Sequence, residues 1–231
     1  MRADSPLTLA IDTTSDLAGV ALLHEDVLLG EVTWNARQSH SRQLLPALDW
    51  LLSHVDRDKS QIGGIVVCLG PGSYAGMRVG LSSAKGLALA LDVPLAGVGR
   101  LAAEALPVAE ASGGRVVPVQ VAGRAELAWA AYEIKESEFV EVEPPQLTPA
   151  SSLPKRLRKG QVVTGDVDRL DDELRAALDL KGCRLVPGSP SRAVAIARLG
   201  RMRLLVGDTD DPDSLTPLYL REPAIGPQPP H

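Results

Sequence analysis

The sequence predicts an α/β fold made of two lobes, and three observations support this. Short apolar runs, separated by turns of two to four residues, open the chain and are typical of antiparallel hairpins. Segments with leucines at helical spacing then alternate with β-branched runs typical of buried strands. The second half repeats this order loosely. We therefore expect mixed sheets flanked by helices in both lobes, from a duplication that is not detectable residue by residue.

The first lobe is predicted to have the element order βββαβα. The runs LTLAID, GVALLH and VLLGEVTW form a β-meander. A helix follows over Ser41–Val55, bent near its start because Pro46 removes one backbone hydrogen bond. The run GGIVVCLG is apolar throughout, as a strand covered on both faces would be. A second helix over Tyr74–Leu91, a short strand and a helix that begins near Arg100 complete the lobe.

The second lobe is predicted to begin with three strands, RVVPVQVA, ELAWAAYEI and EFVEVEP. QVVTG, the helix RLDDELRAAL and CRLVPG then form a β-α-β passage, and SRAVAIARLGRMRLLVG is an amphipathic helix that we expect to pack back on the first lobe. We place the first lobe at residues 1–105 and the second at 106–220. Residues 221–231 are proline-rich, and we expect them to be a disordered tail.

Composition limits the function classes. The 231 residues are 45% hydrophobic and 23% charged, as in ordinary soluble globular proteins. A net charge of -5 and an aromatic content of 3% argue against a protein that holds nucleic acid by itself. Cys68 and Cys183 lie in apolar runs and are expected to be buried thiols of a reducing compartment. The first apolar run is too short for a secretory signal, and no run is long enough to span a membrane.

The stretch LGPGSYAGMRVG, over Leu69–Gly80, joins a predicted strand to a helix. A glycine-rich turn at such a point often holds phosphate. This one lacks the Lys and Ser/Thr of a Walker loop and the spacing of a dinucleotide fingerprint. Ser73 is well placed to cap the helix that follows.

Small residues recur every four positions along this second helix. We call them the small-residue stripe: Gly72, Gly76, Gly80, Ala84 and Ala88. Glycine inside a helix costs about 0.8–1 kcal/mol relative to alanine, so close packing must offset that cost. The neighbour is either the protein's own sheet or a helix of another subunit, and the sequence leaves both interpretations open.

A family resemblance rests on longer motifs. The opening AIDTTSDLAGVALL resembles the actin, Hsp70 and sugar-kinase superfamily. The closer resemblance is to the TsaB (YeaZ) family, and it rests on three further motifs, RQSHSRQLLPAL, GPGSYAGMRVGLSSAKGLALALDVPLAGV and LTPLYLRE. Members of this family are the non-catalytic dimerisation subunit of the bacterial machinery that makes threonylcarbamoyladenosine in tRNA. The similarity covers most of the first hundred residues and recurs at Tyr219, Leu220 and Arg221.

The resemblance implies two ribonuclease-H-like lobes, a cytoplasmic location and no cofactor. It also implies a catalytic TsaD-type transferase as partner, a small TsaE-type ATPase as third subunit, and a homodimer when the chain is alone. Contact with tRNA is expected only through that complex. Family members associate through their first two helices, so the expected interface residues are Leu44, Leu48, Leu52, Ser73, Gly76, Met77, Arg78 and Gly80. For Arg78, a solvated side chain and a partner carboxylate remain equal alternatives.

Asp12, Thr13 and Thr14 follow the first predicted strand. In actin-like ATPases such a hairpin supplies a carboxylate to the metal shell and hydroxyls and amides to the phosphates. The second lobe lacks the matching Asp and glycine-rich turn: where relatives carry Asp-Ala-Arg, this chain has Val121–Arg124. We therefore interpret the first hairpin as vestigial, with Asp12 and Thr14 bonding their own backbone. Nucleotide binding stays open as the alternative.

Other chemistry finds little support. The four histidines are not spaced as metal ligands, and His40 is expected to be a capping or surface residue. Ser73 has no histidine in its motif, and neither cysteine lies in a basic loop. The basic run PKRLRKG is most simply a solvated helix face, with weak steering of tRNA in a complex as the alternative.

The sequence is thus interpreted as a catalytically inactive subunit that binds and activates a transferase paralogue. An actin-like ATPase or small kinase is the enzyme alternative, and a metallopeptidase is a third.

Overall fold

The computed structural model describes residues 6–37, 39–123 and 125–220 and contains two five-stranded mixed sheets. The first sheet has the order β3-β2-β1-β4-β5. Its strands are β1 (Leu7–Asp12), β2 (Leu17–His24), β3 (Val27–Asn35), β4 (Ile62–Gly70) and β5 (Leu95–Gly99). The first three strands are antiparallel, as predicted, whereas β4 and β5 join in parallel.

Helices cover both faces of the first sheet, which is why β1 is buried along its whole length and four of its six residues are apolar. On one face, Leu9 and Ile11 pack with α1 (His40–His54) and α2 (Tyr74–Leu91). On the other face, Ala10 packs against α6 (Ala193–Leu205). The small residues of α6 allow a close approach: a Cβ added at Gly200 would lie 2.1 Å from Val66 Cγ1.

The second sheet has the order β10-β9-β6-β7-β8. Its strands are β6 (Val116–Ala122), β7 (Glu126–Lys135), β8 (Glu138–Pro149), β9 (Val162–Gly165) and β10 (Arg184–Pro187). Strands β6, β9 and β10 are parallel, while β7 and β8 are antiparallel neighbours. One face is covered by α4 (Leu153–Arg156) and α5 (Asp172–Leu180), and the other by α3 (Arg100–Ser112).

The predicted elements correspond closely to the observed ones. The second helix runs from Tyr74 to Leu91, as expected, and α1 continues across Pro46. The basic run predicted to lie on a helix is helical only at its start, in α4. The predicted helix RLDDELRAAL begins too early, because Asp166–Arg169 forms a separate 3-10 turn. The expected lobe boundary at residue 105 falls inside α3, which packs on β6 and β7 as well as on the first sheet. The expected tail, 221–231, lies outside the described residues.

After α6 the chain forms an extended strap, residues 208–220, that returns along the first sheet. Asp210 Oδ2 accepts hydrogen bonds from Gly97 N at 2.7 Å and from Arg203 Nη1 at 2.9 Å. Further along, Leu218 N donates to Leu69 O at 2.8 Å. The strap therefore ends beside the start of α2. No helix within the described residues has the length and apolarity to cross a bilayer.

Candidate partner interface

The turn after β1 is closed by its own side chains. Asp12 Oδ1 accepts hydrogen bonds from Thr14 N at 2.9 Å and from the Thr14 hydroxyl at 2.7 Å. The Thr13 hydroxyl donates to Gly76 O at 2.7 Å, and Ser73 N donates to Thr14 O at the same distance. All three hairpin residues are buried. The expected bond of the Asp12 side chain to the backbone of the turn is therefore present, whereas the Thr14 hydroxyl bonds the Asp12 carboxylate and not the backbone.

A buried arginine that precedes α6 holds the other oxygen of Asp12. Arg192 Nε donates to Asp12 Oδ2 at 2.7 Å, and its Nη2 donates to the Ser15 hydroxyl at 2.7 Å. Burial alone would raise the pKa of Asp12, but the Arg192 charge and the Thr14 hydrogen bonds outweigh it, so the pKa lies below its ordinary value. This pair could not be predicted from the sequence, because the two residues are 180 positions apart and share no local pattern.

The ion pair belongs to a buried cluster that joins the two lobes. Arg192 Nη1 donates to Glu104 Oε1 at 3.3 Å, and Arg100 donates to both Glu104, at 3.4 Å, and Asp166, at 3.3 Å. Burial raises the pKa of Glu104 although both arginines oppose the shift. The carboxylate that an actin-like enzyme would turn towards a metal is thus committed here to an internal charge network.

The small-residue stripe of α2 packs inside this chain. A Cβ added at Gly76 would lie 2.0 Å from Thr13 O, and one at Gly72 would lie 2.1 Å from Thr14 O. At Gly80 the nearest atom would be the Thr13 hydroxyl oxygen, at 2.3 Å. Only a residue without a side chain allows the helix to lie this close to the hairpin. The interpretation as packing within this chain is correct, although at these glycines the neighbour is the turn after β1 rather than the sheet. The expectation of a contact surface for another subunit at Gly76 and Gly80 is wrong.

The structure corrects the expected apolar contacts in the same way. Leu44, Leu48, Leu52 and Met77 are at most 4% exposed and face the interior of the chain. Helical periodicity identifies an apolar face but does not say what covers it, and here the sheet does. Of the expected interface residues, Ser73 and Arg78 are exposed, and the Ser73 side chain caps α2 by accepting from Gly76 N, as predicted.

Large apolar side chains do lie on the outward sides of both helices. Leu45 and Trp50 of α1 are 45% and 52% exposed, and Leu89 of α2 is 83% exposed. Tyr74, the first residue of α2, is 39% exposed. We call these four residues the outer apolar set. They were not predicted from the sequence, because the helical periodicity marks only the inward side of each helix.

An ordered cation lies at the start of α2, on the same outward side. The Arg78 guanidinium carbon lies 4.4 Å from the centre of the Tyr74 ring. Tyr219 of the strap packs on Tyr74 with ring centres 5.2 Å apart. A hydrogen bond with Tyr219 raises the pKa of Arg78. Arg78 is therefore held in one orientation by aromatic neighbours rather than freely solvated, and the expectation of a partner carboxylate stays a prediction.

A pocket of about 560 Å³ lies between the lobes beside the start of α2. It is lined by Pro71–Tyr74 and Met77, by Gln120–Gly123 of the second lobe, and by Leu218–Leu220 of the strap, among others. None of the three hairpin residues lines it. This cleft is therefore separate from the turn that resembles a phosphate hairpin. Within the altered segment Val121–Arg124, Arg124 lies outside the described residues.

Histidines and cysteines are explained by packing. His40 is buried, with Nε2 2.9 Å from Ser15 O, so its expected role as a capping or surface residue is wrong. Cys68 and Cys183 are buried free thiols, as predicted, and burial raises the pKa of Cys68 to about 12. Within the described ranges, no group of three or more His, Cys, Asp or Glu residues is arranged to hold a metal ion.

Comparisons with known proteins agree with this architecture. YeaZ from Pseudomonas aeruginosa superposes with a TM-score of 0.75 at 23% identity, over 93% of this chain and all of that one. Component A of (R)-2-hydroxyglutaryl-CoA dehydratase from Acidaminococcus fermentans, an actin-like fold, gives a TM-score of 0.53 at 12% identity, over 87% and 100%. These matches confirm the predicted actin, Hsp70 and sugar-kinase fold class.

Sequence relatives identify the family. The family model described as TsaD, tRNA N6-adenosine threonylcarbamoyltransferase, matches residues 28–161. The tRNA threonylcarbamoyladenosine biosynthesis protein TsaB of Bacillus subtilis is 36% identical over 60% of this chain and 60% of its own length. A tRNA N6-adenosine threonylcarbamoyltransferase of Nitratidesulfovibrio vulgaris is 32% identical over 43% of this chain and 32% of its own length. The chain belongs to the TsaB (YeaZ) family.

Proposed function

We propose that this chain is a non-catalytic subunit of tRNA threonylcarbamoyladenosine synthesis that binds and activates a TsaD-type threonylcarbamoyl transferase. One observation carries the proposal: the outer apolar set lies exposed on two helices of the lobe that carries the family motifs. A contiguous patch of exposed apolar side chains marks a protein interaction surface, and we propose that the outer apolar set belongs to such a patch. Trp50 and the Tyr74–Arg78 pair also have the residue types that dominate binding energy at interfaces.

The proposed partner follows from the relatives of the chain. The transferase family model covers residues 28–161, which include α1 and α2. A transferase that shares this segment presents similar helices, and two similar surfaces can pair about a pseudo-two-fold axis. The same geometry allows two copies of this chain to pair when the partner is absent. We therefore expect the homodimer and the mixed complex to compete for one surface.

The interior of the chain supports a role without catalysis. Asp12 is engaged by Arg192 and Thr14, and α2 lies against the backbone of the hairpin where a phosphate would bind. The activating effect would then be a shift of the partner towards its active conformation, driven by binding free energy. We further propose that a small TsaE-type ATPase is the third subunit and that the complex is cytoplasmic. In this proposal the chain contacts tRNA only within the complex.

The direct test is co-purification with the transferase of the same organism, followed by a threonylcarbamoyl transfer assay with and without this chain. We expect a stable complex and activity that depends on both subunits. Full activity of the transferase alone would contradict the proposal. Calorimetry of the isolated chain with ATP and Mg²⁺ addresses the enzyme alternative, because tight binding would favour an actin-like ATPase or kinase.

A further inference from the structure

Basic residues gather at one edge of the second sheet. Val116 of β6 pairs with Val162 of β9, which in turn pairs with Arg184 of β10, and all three strands are parallel. The chain segments that lead into parallel strands meet at the same edge of a sheet. These segments carry Arg115 before β6, and Arg158 and Lys159 before β9, while Arg184 itself opens β10.

The four cations line one pocket of about 540 Å³, together with Ser112, Gly114, Glu133, Gly160, Gln161 and Val162. We call it the basic pocket. Arg115 forms an ion pair with Glu143. Arg158, Lys159 and Arg184 are exposed and form no ion pair with any described residue. Glu133 is the single carboxylate among the described lining residues. The pocket is thus positive on a chain whose net charge is -5.

Two buried donors at this pocket lack an acceptor. The Ser112 hydroxyl and Arg115 Nε are inaccessible to solvent and form no hydrogen bond with any described group. Burying such a group without a partner is unfavourable, because the group loses its hydrogen bonds to water. Because neither atom reaches the surface, a ligand in the pocket would contact the exposed Arg158, Lys159 and Arg184 instead. Guanidinium and ammonium groups that are not paired with carboxylates are the donors that recognise phosphate.

We infer that the basic pocket binds a phosphate of the tRNA backbone when this chain acts in its complex. The inference rests on the proposed function, since that function supplies an RNA substrate. Phosphate contacts orient a protein on its RNA without reading the base sequence. A single pocket of this kind adds to a larger surface, which is consistent with an acidic chain that does not hold tRNA by itself.

The test uses the full chain in complex with its transferase and measures binding of a tRNA transcript by fluorescence anisotropy over a salt series. Lys159→Gln and Arg184→Gln each remove one exposed cation from the pocket. Lys155→Gln is the matched control, because Lys155 is exposed in the same basic run and does not line the pocket. The mass of each complex is measured by light scattering in the same samples. Inorganic phosphate and pyrophosphate are titrated separately as small competitors.

We expect Lys159→Gln and Arg184→Gln each to weaken tRNA binding about 3- to 10-fold and to lower the slope of log affinity against log salt by about one. Lys155→Gln should change neither, and all complexes should keep their mass. Equal losses in Lys155→Gln, or no loss in the pocket variants of an intact complex, would overturn the inference and leave the proposed function standing. Binding of pyrophosphate without any effect on tRNA would also overturn it. Failure of the unaltered subunits to associate would instead refute the proposed function.

Discussion

The two sides of α2 differ in what their residues do. On the inner side, Gly76 and Gly80 let the helix lie against Thr13 at distances that no side chain would allow. On the outer side, Tyr74, Arg78 and Leu89 are exposed. Tyr219 of the strap packs on the Tyr74 ring, and the Arg78 guanidinium lies over that same ring. The small-residue stripe thus marks the inner side of α2, while the exposed residues that we propose to face a partner follow no such regular pattern of residue types.

This difference shows how a stripe of small residues should be interpreted. Such a stripe indicates that some backbone approaches closely, but it does not identify that backbone. Here it is the hairpin of the same lobe, held in turn by Arg192 through Asp12. Four predictions probe the comparison, beginning with the buried side.

Asp12→Asn should give the largest effect. The change leaves the guanidinium of Arg192 buried without its nearest carboxylate, which we expect to cost about 4 kcal/mol of unfolding free energy. Urea unfolding at neutral pH measures this loss. Asp213→Asn, an exposed aspartate of the strap, is the control and should change stability by less than about 0.5 kcal/mol.

The same pair predicts a dependence on pH. The pKa of Asp12 in the folded chain lies below the ordinary value of 3.8, so its ionised form stabilises the fold at and above that pH. This stabilisation is lost as the pH falls through the lower, folded-state pKa. Unfolding free energy measured below pH 3.8 should therefore fall less steeply in Asp12→Asn than in the unaltered chain. If the unfolding free energies of the variant and the unaltered chain fell equally steeply below pH 3.8, the ion pair between Asp12 and Arg192 would be contradicted.

Gly76→Ala compared with Gly86→Ala sharpens the contrast within α2 itself. At Gly76 the new Cβ meets Thr13 O, and the helix or the hairpin must shift, at a cost of about 3 kcal/mol. At Gly86 no atom lies within 4 Å of the added Cβ, so the change should stabilise the chain by about 0.5–1 kcal/mol through helix propensity. Urea unfolding measures both variants. If the two substitutions changed the unfolding free energy by similar amounts in the same direction, the close contact between Gly76 and Thr13 would be refuted.

Much of the fold was predictable because it depends on local pattern. The limits of α2 follow from Ser73 as its cap and from Val93 and Pro94 beyond its end, and both agree with the structure. The charge cluster was not predictable, because Asp12 and Arg192 are 180 positions apart in the sequence and meet only in the folded chain. The prediction of the interface residues failed for a different reason. Leu44 and Leu48 have a helical spacing that is shared by partner-binding faces and core faces, and only their burial shows that they belong to the core.

Tyr219→Ala should give the smallest effect and act on the outer side. It removes the ring that packs on Tyr74 and the hydroxyl that bonds Arg78, so we expect about 1 kcal/mol of lost affinity for the transferase. Tyr219→Phe keeps the ring and should lose less. Both are measured by titration of the labelled chain with its partner. Unchanged affinity in Tyr219→Ala would exclude the strap from the interface.

The central claim is that the outward sides of α1 and α2 bind the partner. Light scattering of this chain mixed with its transferase, using the variant Leu45→Glu/Leu89→Glu, tests it most directly. The control is Leu180→Glu, which places the same charge at a leucine of α5 that is 90% exposed. We predict that the unaltered chain and Leu180→Glu form the complex, whereas the folded double variant remains free. A complex of full mass with the double variant would contradict the account.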